Sequence, residues 1–507
     1  MRKKSFIYWG AILLTIVVIG VGAALLGRDR GPRPSACLPK PGPAVPYLFV
    51  ERIPGPTGSE GSDGPFGLVH SALAQESWKE IINLNSGVAA SFLVAFGEGA
   101  PGFWAAAVPG RESLERISSG KLPESWAGAF EAGGLQAGSQ GKKGSLRIIH
   151  QGGGELFLRR HGSLLLIAEE EAELDRMEAS LAGRLEPVKS AWRVKPSWMG
   201  HLRADDAGKP GLFPILPGGV EDAAKSVPVT IEAAWRHVPP YGGEGAWMSE
   251  GVGRRLAEKG TPLAAPVPWN MKLSFPRPLA MAVGVMGEPP AQEDGEVSGE
   301  AMSRFGDRSG FWKTWTGLPE ERVRRFLKGP IIFSVGGSAR AMGLPTPGFL
   351  VEFPGRREEG PMFVRSLLGE RWGISSLIGR EVNGFDVGGA IPLPFTIMAA
   401  ANGDTALVGY LEPESLGTPV VPGGLSAEFN TPSVAWLWID GEALSGTLDS
   451  LAPGSPGFRL LGLEEKALET ERLQRLVNGL GKLAAVMETA ESGHFSWSGV
   501  EPQGGQP

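Results

Sequence analysis

A stretch of this chain occurs twice. "PGFWAAAVPGRE" (Pro101 to Glu112) returns as "PGFLVEFPGRRE" (Pro347 to Glu358), and it does not return alone. "SWKEI" (Trp78) is echoed by "FWKTW" (Trp312), and "FLVAFGEGA" by "IIFSVGGSA" (Ile331 to Ala339). "RHGSLLLIAEEEAEL" is echoed by "ANGDTALVGYLEPESL", and "KPSWMGHLRAD" by "TPSVAWLWID". A weaker sixth echo sets "TIEAAWRHVPP" (Trp235) against "GHFSWSGVEP" (Trp497). The blocks keep one order, at spacings between 234 and 262 residues. Self-similarity of this kind means one structural unit built twice. The chain therefore reads as two similar domains, 46–240 and 265–503, joined by a Gly/Pro-rich linker over 241–264. Residues 31–45 read as a Pro/Gly-rich tether.

Within each copy the patterning alternates between strands and helices. "SLLLIA" is a short apolar run after a turn, and Glu169 to Leu181 has helical composition with acids leading. Asn402-Gly403 lies between "FTIMAAA" and "TALVGY", a strong hairpin signal, and His161-Gly162 holds the same corner in the first copy. In "ALETERLQRLVNGLGKLAAVMETAE", Leu473, Leu476, Val477, Leu480, Leu483 and Met487 share one face of a helix. Antiparallel hairpins with separate helices predict an α+β class. The 75 glycines and 43 prolines are interleaved with apolar runs, which points to many turns rather than disorder.

The amino-terminal residues predict a membrane anchor. Arg2, Lys3 and Lys4 precede 23 uncharged residues, Ser5 to Gly27, long enough to cross an apolar core of about 30 Å. Tyr8 and Trp9 suit an interfacial belt. A cleaved signal peptide is the other reading of the same residues. The charge balance places the amino terminus inside, so the expectation is a single-pass inner-membrane protein. Residues 1–30 hold the cytoplasmic tip and the transmembrane helix, the bulk of the chain is periplasmic, and residues 5–27 contact the lipid bilayer. Residues 1–30 carry a net charge of +4 against a total of −6, which leaves about −10 on the remainder. An acidic remainder argues against binding nucleic acid. Cys37 is the one cysteine, so no intramolecular disulfide forms.

Each motif with chemical potential has a simpler reading. Gly97, Gly99 and Gly102 spell G-x-G-x-x-G, but Pro109-Gly110 ends the following run too soon for the helix that a dinucleotide needs. The second copy loses this spacing. "AGSQGKKGS" fails the phosphate-loop pattern at Gln136 and Lys143. The six histidines show no metal-ligand spacing. Asp205 and Asp440 hold matching places at repeated strand ends, either as a symmetric acid pair or as turn-initiating residues. No catalytic, cofactor-binding or metal residue is assigned and no cofactor is expected. Trp198, Trp436 and Trp438 are the candidate ligand-groove aromatics.

The anchor, the "PGFWAAAVPG" and "HGSLLLIAEEEAEL" blocks and their second copies resemble uncharacterised bacterial single-pass envelope proteins, catalogued only as domains of unknown function. The resemblance carries over no catalytic residues. The expected role is non-enzymatic: a structural or interaction component of the envelope, with an envelope protein or lipid as partner, or a binder of an apolar ligand. The alternative is an envelope-polymer hydrolase using carboxylates from both repeats.

Overall fold

The computed structural model describes residues 34–42, 45–52, 90–95, 102–124, 126, 135–150, 155–188, 200–205, 228–238, 242–254, 265–286, 319, 322, 326, 329–341, 344–357, 359–366, 380–388, 397–449 and 481–498. The chain forms two compact units that divide after Gly251. The described part of unit 1 has ten strands: β1 (Tyr47–Arg52), β2 (Ala90–Ala95), β3 (Gly102–Ala107), β4 (Leu135–Gln140), β5 (Leu146–His150), β6 (Glu155–His161), β7 (Leu164–Ala168), β8 (Gly200–Asp205), β9 (Thr230–Val238) and β10 (Gly242–Glu250). All pair antiparallel, in the order β10-β9-β8-β1-β2-β3-β7-β6-β5-β4. Helices α1 (Arg111–Ser118) and α2 (Glu171–Leu181) follow β3 and β7.

Unit 2 also has ten described strands: β11 (Leu279–Met286), β12 (Pro330–Ala341), β13 (Leu344–Pro354), β14 (Arg380–Val382), β15 (Phe385–Gly388), β16 (Ile397–Ala401), β17 (Thr405–Tyr410), β18 (Ala435–Asp440), β19 (Lys482–Thr489) and β20 (Ser492–Ser498). Their order is β20-β19-β18-β11-β12-β13-β17-β16-β15-β14, the order of unit 1 strand for strand. The register agrees as well. Trp104 faces Ala168 and Ala106 faces Leu166 in unit 1, while Leu350 faces Gly409 and Glu352 faces Leu407 in unit 2. Helix α3 (Glu359–Ser366) follows β13 as α1 follows β3, and α4 (Gly441–Asp449) follows β18. Trp235 lies on β9 and Trp497 on β20, the ninth and tenth strands of their units, so the sixth echo joined unlike positions.

Several expectations are corrected. The class is mostly antiparallel sheet with short helices, not α+β. Part of the expected long helix is strand: Leu483 and Met487 lie on β19, and 467–480 fall outside the described residues. Asn478-Gly479 and Gly481 punctuate that pattern, and a run of five buried residues follows them. The supposed linker 241–264 begins with β10, whose strict alternation of burial was hidden by its glycines. Pro34–Cys37 of the supposed tether form a 3-10 turn, with Cys37 and Leu38 fully buried in the core under α2. Val188 N–H donates to the Leu38 carbonyl at 2.9 Å and fastens that segment. No helix among the described residues is long and apolar enough to cross a membrane. The longest, α2, has 11 residues, roughly 17 Å at 1.5 Å per residue against the ~30 Å required. The single-pass inner-membrane reading, with its N-terminal helix and periplasmic bulk, is therefore not supported. Residues 5–27, where that helix was expected, lie outside the described residues.

Burial on both faces explains the strand sequences of unit 1. Every residue of β2 and of β7 is buried, so these strands read as continuous apolar runs instead of alternating. Against one face pack Leu174 and Met177 of α2, with Cys37 and Leu38. In unit 2 the corresponding face holds Trp436 and Trp438, and Gly284 on β11 stands opposite Trp436. A Cβ on Gly284 would collide with the Trp436 indole, which lies across the glycine.

Two expected outcomes follow. Gly284→Ala should lower unfolding stability by about 1–3 kcal/mol, read by urea titration, because a packed ring must move. Burial pushes the Cys37 thiol up to about 12, so it should resist a chromogenic disulfide reagent at neutral pH until the fold is opened by denaturant. Fast reaction in native buffer would contradict that placement.

Candidate functional site

A buried set of polar side chains with mutual contacts lies in unit 1, where β1, β8 and β9 run side by side. Residues opposite one another in an antiparallel pair share a face. The register sets Tyr47 against Asp205, Phe49 against Arg203, and Arg203 against Glu232. Their polar atoms therefore meet. Arg203 Nε donates to the Tyr47 hydroxyl at 2.8 Å, and its Nη1 pairs with Glu232 Oε1. His201 Nε2 lies 3.3 Å from the other oxygen of Glu232, and the His201 ring stands 5.9 Å from that of Phe49. Thr230 Oγ1 donates to Asp205 Oδ2 at 3.2 Å. His201 and Glu232 are almost fully buried.

The electrostatics suit a brace. Burial pushes the Tyr47 phenol above its ordinary range, against the pull of Arg203. Burial also works against the charge on Arg203, but Tyr47 and Glu232 outweigh it and hold the guanidinium pKa above its usual value. Each group satisfies another across three strands. The arrangement ties β1 to β8 and β9.

Unit 2 fills the same register positions differently. Trp436 stands where His201 stands, Trp438 where Arg203 stands, and Ala484 where Glu232 stands. Gly284 and Ala282 replace Glu51 and Phe49 beneath them. Trp436 is fully buried among Trp269 at 5.8 Å, Phe275 at 6.4 Å and Phe429 at 4.8 Å. Trp436 and Trp438 thus fill a core rather than line an open groove, and Trp198 lies outside the described residues. Nothing in the residue types of "GHLRAD" and "TIEAAW" announces the unit 1 cluster. Its signal is a polar, titratable side chain at every second position of β8 (His201, Arg203, Asp205), visible only once β9 is known to be its neighbour.

The other sequence candidates have structural occupations. Strand β3 begins at Gly102, where a dinucleotide loop needs a helix, and Gly97 and Gly99 lie outside the described residues. Lys143 sits in the β4–β5 turn with its ammonium 2.9 Å from Asp175. Asp440 Oδ1 accepts the Ala443 N–H at 3.1 Å and caps α4, while Asp205 belongs to the brace. Among the described residues no group of three or more His, Cys, Asp and Glu is placed to hold a metal.

The opposite face of the sheet distinguishes the units most. In unit 1, Phe92, Val94 and Phe103 are buried to 3% exposure or less. In unit 2 the matching residues are Phe333, Val335 and Phe349. Phe349 is 43% exposed, and Phe333, Val335, Val351, Val408 and Tyr410 are half-buried. Their rings form a line across β12, β13 and β17, with centroids 6.2 Å (Phe333–Phe349) and 6.0 Å (Phe349–Tyr410) apart. Thr346 Oγ1 donates to the Tyr410 hydroxyl at 3.0 Å and steadies one end.

Glu232→Leu alone should cost about 3 kcal/mol in denaturant unfolding, since Arg203 and His201 stay buried without their carboxylate. Arg203→Met combined with Glu232→Leu, which adopts the apolar solution of unit 2, should recover most of that loss. Simple additivity of the two replacements would show that the pair is not coupled. No family model matches the chain, and no curated protein and no solved structure matches it.

Proposed function

We propose that this protein is a non-enzymatic interaction component, and that it uses the open aromatic face of unit 2 to contact an apolar surface of a partner. One observation carries the reading. The two units share strand order and register, yet the face that is closed at Phe92 and Phe103 in unit 1 leaves Phe349 43% exposed in unit 2. Apolar surface left in water is a standing driving force for association. Aromatic side chains supply much contact area at small loss of side-chain freedom. Asp205 and Asp440, the acids at matching strand ends, serve a brace and a helix cap, so they lend the hydrolase alternative no support.

A photo-activatable phenylalanine analogue at position 349, in the full chain in its native cells, tests the proposal. A discrete cross-linked species is expected there, and not with the same analogue at the exposed Arg357. Equal yields at the two positions, or none at 349, would overturn it. Phe349→Ser should change stability by no more than about 0.5 kcal/mol, so loss of cross-linking from the same analogue moved to position 410 in that variant would reflect the surface and not unfolding.

A further inference from the structure

The other face of the unit 2 sheet is covered by two irregular segments. Residues 267–277 cross it and are clipped to the segment 411–434 by a few backbone bonds. Leu273 N–H donates to Val420 O and Val420 N–H to Leu273 O, both at 2.8 Å. Gly417 N–H donates to Phe275 O, and Arg277 N–H to Ser415 O, also at 2.8 Å. Val267 and Ser433 exchange a pair of bonds at the far end, where Trp269 Nε1 donates to Ser433 O at 3.1 Å. Beneath lie Trp436, Trp438, Ile332 and Ala282.

A buried side chain of the sheet reaches this cover with a polar group. Glu352, on β13 opposite Ile332 and Leu407, is 1% exposed, and its Oε2 accepts the Ser274 N–H at 2.8 Å. Its Oε1 has no hydrogen-bond partner, and neither has the hydroxyl of Ser274 at the same contact. A buried carboxylate oxygen left without a partner is costly when the group is charged. A proton on Oε1 removes the charge that burial disfavours. Among the described residues the neighbours supply no counter-charge. Strand β12 contributes Ile332 and Ser334, β17 contributes Thr405 and Leu407, and the strap contributes Leu273, Ser274 and Phe275. The charged groups of the packed segments, Lys272 and Arg277 on the strap and Glu412, Glu414 and Glu428 beyond β17, are exposed or half-exposed, Glu412 is paired with Arg340 at 2.7 Å, and Glu428 is bonded to Ser426.

We propose that residues 269–276 are a strap held shut by the neutral form of Glu352, and that loss of this one proton to solvent lifts the strap from the Trp436 floor. The step is a plain ionisation: the carboxylic acid gives its proton to water or hydroxide, and no other bond is made or broken. A charge there has the sheet below it and apolar neighbours on both sides, so its route to water runs through the strap. Burial sets the direction, raising the Glu352 carboxyl well above its usual 4.5 and outweighing the Ser274 N–H, which favours the charged form. An acid raised in the closed state favours closure fully below the ordinary glutamate range. That contribution is then lost as pH rises toward and through the raised value. The strap is thus closed in acid and opens on the alkaline side. This device lies on the face opposite Phe349 and does not depend on the role proposed for that residue.

Amide hydrogen exchange on the full chain, expressed as protection factors between pH 5 and pH 9, tests it. Protection at Leu273, Gly417, Val420 and Arg277 should fall by up to tenfold per pH unit above the transition, as one released proton requires, while amides of β12 and β13 keep theirs. Glu352→Gln should hold the strap protected and insensitive to pH. Unchanged protection in the wild-type chain would overturn the proposal. So would equal pH dependence in Glu352→Gln, or a loss shared with β12 and β13. If Glu352→Gln does not fold, the wild-type comparison of strap with strands decides alone, and Glu352→Leu gives a second non-ionising variant.

Discussion

The architecture of each unit depends on one strand having two partners from distant parts of the chain. Strand β1 pairs with β2 on one side and with β8 on the other, and β11 likewise with β12 and β18. The contact of Tyr47 with Arg203 spans 156 positions of sequence. Closing so long a loop costs little more entropy than closing a moderate one, because the cost grows only with the logarithm of length. It does require that the strand be worth pairing on both edges and burying on both faces. Phe49 and Val50, adjacent in β1 and therefore on opposite faces, are both buried to 2% exposure or less.

A shared register permits unlike interiors. At the junction of the first, eighth and ninth strands, unit 1 holds Arg203, Glu232 and His201, whereas unit 2 holds Trp438, Ala484 and Trp436. The exchange is coordinated. The indole of Trp436 fits because β11 offers Gly284, where β1 has Glu51. A buried ion pair repays its desolvation only with good geometry, and an apolar replacement of matching volume often serves as well. The units show both solutions on one backbone. Hybrids with one ionic member beside one indole would leave a charge unpaired or a ring overpacked, so these positions are expected to change together or not at all.

Legibility in the sequence followed the locality of each signal. The blocks around Pro101 and Pro347, His161 and Asn402, and Asp205 and Asp440 fall on corresponding strands because continuous apolar runs and tight turns are local features. The α+β expectation failed where two periods were confused. Leu483 and Met487 fit a helical face continued from Leu473, but five buried residues in a row after Gly481 suit a sheet buried on both sides equally well. Cys37 was misjudged through its company. Proline and glycine around it suggest a tether, but Val188 N–H donating to Leu38 O and Lys40 N–H donating to Glu186 O hold that segment to the fold. The brace at Glu232 was not legible, since a lone acid in "TIEAAW" acquires meaning from Arg203, 29 positions away.

The two faces of the unit 2 sheet are consequences of its departures from unit 1. Where unit 1 follows β7 with α2, an 11-residue helix that covers the sheet with Leu174 and Met177, unit 2 follows β17 with the 3-10 turn Pro413–Ser415 and an irregular segment. A helix satisfies its own backbone and can lie on apolar side chains without further polar contact. An irregular cover must place its backbone groups against partners. Two crossing segments clip to each other, and where they cannot, a side chain of the sheet must meet them. Glu352 does so for the Ser274 N–H, at a position where unit 1, under its helix, has Ala106. The buried acid is therefore tied to the replacement of a helix by a strap. Restoring alanine at 352 without restoring the helix would trade an ionisable group for an unsatisfied amide, which makes the acid part of the cover rather than a defect beneath it.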